Sequence, residues 1–125
     1  MSKKVLLIDD EEDFSHFVKL NLEDTGKFEV SMATNGAEGI EIAKENKPDI
    51  IMLDLLMPVM DGSEVAEHLL EDERTKNIPI VFVTALTRKK EVDSHSGTIG
   101  GRTFLAKPVT PKELIECIDR VLAEG

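Results

Sequence analysis

The stretch IIMLDLLMPVMDG, residues 50 to 62, joins a wholly apolar run to a carboxylate that follows it directly. Ile50 to Leu53 contain no polar residue, a pattern typical of a strand buried on both faces of a sheet. Asp54 comes next, and Pro58 and Asp61-Gly62 then turn the chain. Because a carboxylate is costly to bury, we expect Asp54 either to lie at the rim of the core or to be compensated by a cation.

Similar short runs on either side of this stretch predict four more strands. They cover residues 5–8, 28–32, 79–83 and 103–106, and segments with helical periodicity separate them. The helix predicted over 87–98 is a poor one, because residues that favour turns and caps fill its second half. Five strands that alternate with five helices indicate an α/β fold, with a parallel sheet covered by helices on both faces.

The last helix has the clearest sequence signals. Thr110, Pro111 and Glu113 are the N-cap, first-turn proline and capping-box glutamate expected at a helix start. Cys117 lies on the apolar stripe of the same helix, so we predict that it is a small core residue rather than a reactive thiol.

Composition limits the class of protein. The 125 residues, 41% of them hydrophobic, predict a single domain over residues 1–125. With 25 acidic and 15 basic residues the net charge is -10, which argues against a nucleic-acid-binding surface. A single cysteine excludes an internal disulfide, and no stretch resembles a secretory signal or a membrane span. We therefore expect a cytoplasmic location.

Polar residues stand directly after four of the predicted strands. They are Asp9, Asp10, Asp54, Thr84 and Lys107. Ligands of open parallel sheets bind beyond the carboxyl ends of the strands, so these side chains are expected to converge. Converging carboxylates suit Mg²⁺, and a hydroxyl and an ammonium beside them suit a phosphoryl group that an aspartate can accept. The alternative for Asp9 and Asp10 is that they merely begin a helix, whose N-terminus favours acidic residues.

Nucleotide and flavin binding are disfavoured. The chain lacks the GxxxxGK[ST] loop, and its first strand-to-helix turn is acidic instead of glycine-rich, so it would repel the phosphate of a nucleotide or flavin.

Four segments together resemble the receiver domain of two-component response regulators, including chemotaxis regulators. They are VLLIDDEEDF, DIIMLDLLMPVMDG, PIVFVTA and FLAKP, and in this order and separation they cover nearly the whole chain. The resemblance implies a flavodoxin-like, doubly wound fold whose five parallel strands have the order 2-1-3-4-5.

The resemblance also assigns the acceptor and the metal ligands. Asp54 is implied to be the phosphoacceptor and one ligand of Mg²⁺. Asp10 would bind the metal directly and Asp9 mainly through water, and the backbone carbonyl of Leu56 would be a further ligand.

The phosphoryl-binding and switch residues follow in the same way. The Thr84 hydroxyl, the Ala85 backbone and Lys107 would bind the phosphoryl group, and the Lys107-Pro108 bond would be cis. Thr84 and Phe104 would then switch the face formed by the fourth helix, the fifth strand and the last helix.

The implied partners are a sensor histidine kinase or histidine phosphotransfer protein as donor, and an effector protein or a missing output domain as target. Direct binding to nucleic acid or membrane is not expected, and formation of a homodimer stays open.

A first alternative to a phosphorylated receiver is a pseudo-receiver that is never phosphorylated and serves as a docking platform. A second is a haloacid-dehalogenase-like phosphatase, but its second acid is replaced by Leu56, so we expect no enzyme. Apolar Leu56 and Leu86 further predict slow self-dephosphorylation.

Overall fold

The computed structural model describes residues 2–85, 98–99 and 102–124. In these ranges the elements are, in chain order, β1 (Lys3–Ile8), α1 (Glu12–Glu23), β2 (Phe28–Ala33), α2 (Gly36–Asn46), β3 (Ile50–Leu53), α3 (Gly62–Glu71), β4 (Ile80–Thr84), β5 (Thr98–Ile99), β6 (Arg102–Ala106) and α4 (Pro111–Glu124). All five strands predicted from the sequence are therefore present, with ends that differ by only a residue or two.

The strands form one sheet in the order β2-β1-β3-β4-β6-β5. The pairs β1 with β2, β1 with β3, β3 with β4 and β4 with β6 are all parallel. Because β6 is the fifth strand of the prediction, the parallel order 2-1-3-4-5 and the flavodoxin-like fold are confirmed.

The short strand β5 departs from the prediction. It pairs antiparallel with β6, so that Thr98 lies opposite Thr103. Thr98 had been placed at the end of the poor helix over 87–98, and that assignment is wrong for this residue. Residues 87–97, the rest of the predicted helix, lie outside the described part of the chain.

The sheet separates two hydrophobic cores. Val5 and Leu7 of β1 face α1 and α4, whereas Leu6 and Ile8 face α2 and α3. Alternate residues of a strand point to opposite faces, so a run of four apolar residues fills both cores at once. Cys117 is 2% exposed within the first core, which confirms its prediction as a core residue.

Hydrogen-bonded caps fix where α3 and α4 begin. At α4, the Glu113 N–H donates to Thr110 Oγ1 at 3.1 Å and the Thr110 N–H donates to Glu113 Oε1 at 2.9 Å. This reciprocal pair is the predicted capping box. Asp61 and Glu64 form a second capping box at the start of α3. The loops that follow β3 and β6 at the carboxyl edge of the sheet are therefore fixed where they enter α3 and α4.

Candidate functional site

Backbone hydrogen bonds continue the parallel ladder beyond the ends of three strands. The Asp9 N–H donates to Ala33 O at 3.0 Å, the Asp54 N–H to Ile8 O at 3.0 Å, and the Lys107 N–H to Thr84 O at 3.1 Å. These bonds fix each residue against its neighbouring strand. The side chains of Asp9, Asp54 and Lys107 consequently emerge at the same edge of the sheet, as the strand-end pattern predicts.

Three carboxylates meet at this edge. Asp9, Glu11 and Asp54 each offer an oxygen, and these oxygens lie within 4.8 Å of one another. Asp9 is 0% and Asp54 4% exposed, whereas Glu11 lies at the surface. Oxygen donors this close together form a candidate site for a hard divalent cation.

Asp10 stands beside this cluster instead of within it. Its side chain is exposed, and it lines an open acidic depression together with Glu11, Glu12, Asp13 and Thr34. Its charge still contributes to raising the pKa of the Asp54 carboxyl. The structure thus brings together Asp9 and Asp54 from the predicted metal ligands, and adds Glu11.

Lys107 supplies the positive charge of the site. Its Nζ atom lies 2.9 Å from Asp9 Oδ2, 2.5 Å from Glu11 Oε1 and 3.8 Å from Asp54 Oδ2. The same atom sits 4.5 Å from the ring centroid of Phe14, a cation–π contact. Both expectations for Asp54 are therefore met, since it lies at the rim of the core and the Lys107 ammonium is nearby.

The pKa values of the two buried carboxyls, Asp9 and Asp54, are both raised. Burial first, and then the neighbouring Asp9 charge, raise the pKa of Asp54 to about 6, although Lys107 acts in the opposite direction. Burial also raises the pKa of Asp9, against the hydrogen bonds from the Glu11 N–H and from Lys107. A bound divalent cation would relieve this repulsion, because it favours the charged form of both carboxyls.

Burial likewise opposes the charge on Lys107, but its partners prevail. Loss of solvent acts to lower the pKa of the ammonium, while hydrogen bonds to Glu11 and Asp9 more than offset it, so the pKa is raised. Lys107 is therefore held as a cation at neutral pH.

The loop after β3 holds the Asp54 side chain in one orientation. The Leu56 N–H donates to Asp54 Oδ1 at 3.2 Å, which leaves Oδ2 on the side of Lys107. The Gly62 N–H donates to Leu55 O at 3.0 Å, and a Cβ atom on Gly62 would collide with the Asp54 carbonyl oxygen. Glycine at position 62 thus permits α3 to begin directly against the backbone at the end of β3.

The described residues among the other predictions lie on β4 and β6 or directly after them. Thr84 is fully buried at the end of β4, and Ala85 follows it at the surface. The Lys107-Pro108 bond is cis. Phe104 is half-buried and stacks on Phe82 with ring centroids 5.3 Å apart. Leu86, which entered the prediction of slow self-dephosphorylation, lies outside the described residues.

Glu11 is the residue of the site that sequence reasoning missed. It follows Asp9-Asp10 in a run of acidic residues, where acids are common at helix starts. The sequence offers one indication of its role, because Glu11 lies close behind Asp9, the acidic residue that directly follows the first strand. Its contact with Lys107 could not be predicted in this way, because the two residues are 96 positions apart in the chain.

No helix in the described part of the chain is both long and apolar enough to cross a membrane.

Comparisons with known proteins agree with this geometry. Residues 5–119 match the family of response regulator receiver domains. The chain is 34% identical over 121 residues to protein PilH of Pseudomonas aeruginosa, and the match covers 96% of this chain and 98% of that protein. It is 35% identical over 119 residues to the DNA-binding dual master transcriptional regulator RpaA of Synechocystis sp., covering 95% of this chain and 48% of that protein.

The chain thus spans about half the length of several curated relatives that it matches. Among solved structures, the chemotaxis protein CheY4 of Vibrio cholerae superposes with a TM-score of 0.82 at 30% identity, covering 97% of this chain and 99% of that one.

Proposed function

The chain belongs to the family of response regulator receiver domains, and on this premise we propose that it accepts a phosphoryl group on Asp54 within a two-component phosphorelay. Receiver domains are signalling modules that interact with histidine kinases and with effector domains. The observation that carries the proposal is the Asp54 carboxylate itself, which is buried at the strand edge between Asp9 and Lys107.

In the proposed transfer, Asp54 Oδ2 attacks the phosphorus atom of a phosphohistidine. An O–P bond forms as the P–N bond breaks, and the imidazole leaves with the electron pair and takes up a proton from water. The Leu56 N–H holds Oδ1, so that Oδ2 faces the incoming group. Lys107 Nζ, 3.8 Å from Oδ2, is placed to neutralise the phosphoryl oxygens.

The donor set fits Mg²⁺, which prefers a few carboxylate oxygens and retains several waters. Asp54, Asp10 and the Leu56 carbonyl are the proposed direct ligands and Asp9 is proposed to act mainly through water, while the exposed Glu11 carboxylate is assigned to Lys107 instead of the metal. When bound, the metal supplies charge neutralisation for the transferring phosphoryl group. Burial, and then repulsion from Asp9, raise the pKa of Asp54, and this supports the assignment because a divalent cation would favour the charged carboxylate.

The proposed switch begins at Thr84, whose carbonyl oxygen accepts a hydrogen bond from the Lys107 N–H. Its hydroxyl and the Ala85 N–H would bind the phosphoryl oxygens. Phe104 stacks on Phe82, which lies on the same strand as Thr84. Movement of Thr84 would therefore change the packing around Phe104. The surface around β6 and α4 would then recruit an effector protein or output domain, in a chain expected to act in the cytoplasm.

Intact-mass analysis after incubation with acetyl phosphate tests the proposal. The wild-type chain should gain one phosphoryl group when Mg²⁺ is present and none when it is chelated. Asp54→Asn should gain none, whereas Asp119→Asn, which removes an exposed carboxylate from α4, should behave like the wild type. A folded wild-type chain that binds Mg²⁺ but forms no adduct would refute the proposal.

A further inference from the structure

Glu11 occupies the N-cap position of α1 without acting as a cap. Its side chain makes no cap hydrogen bond. N-cap side chains are usually short and accept a hydrogen bond from the first turn of the helix. The Glu11 carboxylate instead reaches across the site to Lys107 Nζ at 2.5 Å. The side chain is therefore committed to Lys107 rather than to its own helix.

The backbone of Glu11 is held firmly although its side chain is 62% exposed. Its N–H donates to Asp9 Oδ1 at 2.8 Å, and its carbonyl accepts both the N–H and the hydroxyl of Ser15 at 3.1 Å. Phe14, on the first turn of the same helix, lies against Lys107 Nζ. The start of α1 thus contacts the Lys107 ammonium twice, through the Glu11 carboxylate and through the Phe14 ring.

The partners of Lys107 differ in what happens to them during phosphorylation. Asp9 and Asp54 are buried and belong to the proposed metal site, so a divalent cation there would repel the ammonium from them. Glu11 is at the surface and can keep its contact with Lys107 when the cation binds, before a phosphoryl group is transferred. A phosphoryl group on Asp54 would bring further negative charge to the same ammonium, and it would repel the Glu11 carboxylate that already lies against Lys107.

We propose that Glu11 is a positioning residue that holds Lys107 while Asp54 is unphosphorylated and gives it up when a phosphoryl group arrives. This inference rests on the proposed function. Carboxylate and phosphoryl group compete for one ammonium, so removal of the Glu11 charge strengthens phosphoryl binding at Asp54. Glu11 thereby sets how readily the domain enters its phosphorylated state.

The test measures how tightly a phosphoryl mimic binds. Beryllium fluoride is titrated by calorimetry into the full chain with saturating Mg²⁺, and Mg²⁺ is titrated separately. Glu11→Gln should bind beryllium fluoride about twofold to fivefold more tightly than the wild type, the range expected for loss of a partly exposed ion pair. Its Mg²⁺ affinity should change by less than that.

Glu12→Gln is the matched control, because it removes the same charge from another exposed glutamate one residue away. Among the described residues, no hydrogen bond or ion pair joins Glu12 to Lys107. Its affinity for beryllium fluoride should match that of the wild type.

Three results overturn the inference alone: unchanged or weaker binding in Glu11→Gln, an equal gain in Glu12→Gln, or a large loss of Mg²⁺ affinity in Glu11→Gln. The second would mean that only net charge matters, and the third that Glu11 is a metal ligand. Failure of the wild type to bind beryllium fluoride with Mg²⁺ would instead overturn the proposed function, and the inference with it.

Discussion

Replacing Asp54 by asparagine should stabilise the metal-free protein at neutral pH. The environment raises the pKa of Asp54 from its ordinary value of 3.8 to about 6, and its side chain is 5% exposed. A difference of about 2 units, at about 1.4 kcal/mol per unit, makes the ionised carboxylate unfavourable to folding by ~3 kcal/mol. Asparagine keeps the size of the side chain and an acceptor for the Leu56 N–H, but carries no charge.

The sign of the pH dependence follows from the raised pKa. Below pH 3.8 the carboxyl is protonated in both folded and unfolded chains, so its charge has no effect on stability. Between 3.8 and about 6 the unfolded chain loses the proton first, and stability falls as pH rises. Above about 6, the folded-state pKa, the full penalty applies. The advantage of Asp54→Asn should therefore be small near pH 3.5 and reach its plateau by pH 7.5.

Urea unfolding in the presence of a chelator measures this difference. Far-ultraviolet circular dichroism is the suitable signal, since the chain contains no Trp or Tyr. Asp119→Asn makes the same change of charge at an exposed position of α4 and should leave stability within about 0.5 kcal/mol of the wild type. The reasoning is refuted if Asp54→Asn is no more stable than the wild type at pH 7.5, or if its advantage does not vary with pH.

Further outcomes follow from the same structure. Saturating Mg²⁺ should raise the urea midpoint of the wild type more than that of Asp54→Asn, because ligand binding stabilises only a chain that retains its binding site; equal shifts would count against a metal site at Asp54. Gly62→Ala should lower the free energy of unfolding by about 1–3 kcal/mol, since its Cβ meets the Asp54 carbonyl, and wild-type stability would contradict this packing. Leu69→Ala should lower it by about 2–5 kcal/mol because Leu69 is fully buried, while exposed Leu70→Ala should lose far less; similar losses would disprove the assigned faces of α3. Leu56→Asn should hasten loss of the acyl phosphate, measured by intact mass over time, and an unchanged rate would show that Leu56 does not slow hydrolysis.

The sheet was predictable because its buried strands have an unambiguous pattern. β1 and β3 each contain four consecutive apolar residues that are fully buried, and so short a run between polar residues is typical of a strand packed on both faces. The capping box of α4 was visible for a similar reason, since both of its hydrogen bonds join residues three positions apart.

Strand β5 was not predictable in the same way. It has only two residues, Thr98 and Ile99, so it carries no periodicity of its own. Its pairing depends on β6, which follows closely enough for an antiparallel turn. The pairing is a tertiary effect, which local preferences for turns and caps do not reveal.

The site shows the same division between topology and side-chain geometry. The strand-end rule located Asp9, Asp54 and Lys107 because parallel strands bring their carboxyl ends to one edge. The rule gives no information on how far an exposed side chain reaches. Glu11 was therefore missed, while Asp10 was expected in the carboxylate cluster and lies beside it.

The position of the phosphoryl group gives the most direct test of the proposed function. After incubation with acetyl phosphate and Mg²⁺, borohydride reduces an aspartyl phosphate to homoserine, and peptide mass mapping identifies the reduced residue. The predicted result is reduction at Asp54 alone, with none in the sample that lacks Mg²⁺. Reduction at Asp9 or Asp10, or a phosphoryl group that resists borohydride because it lies on a serine, would contradict the proposed role of Asp54.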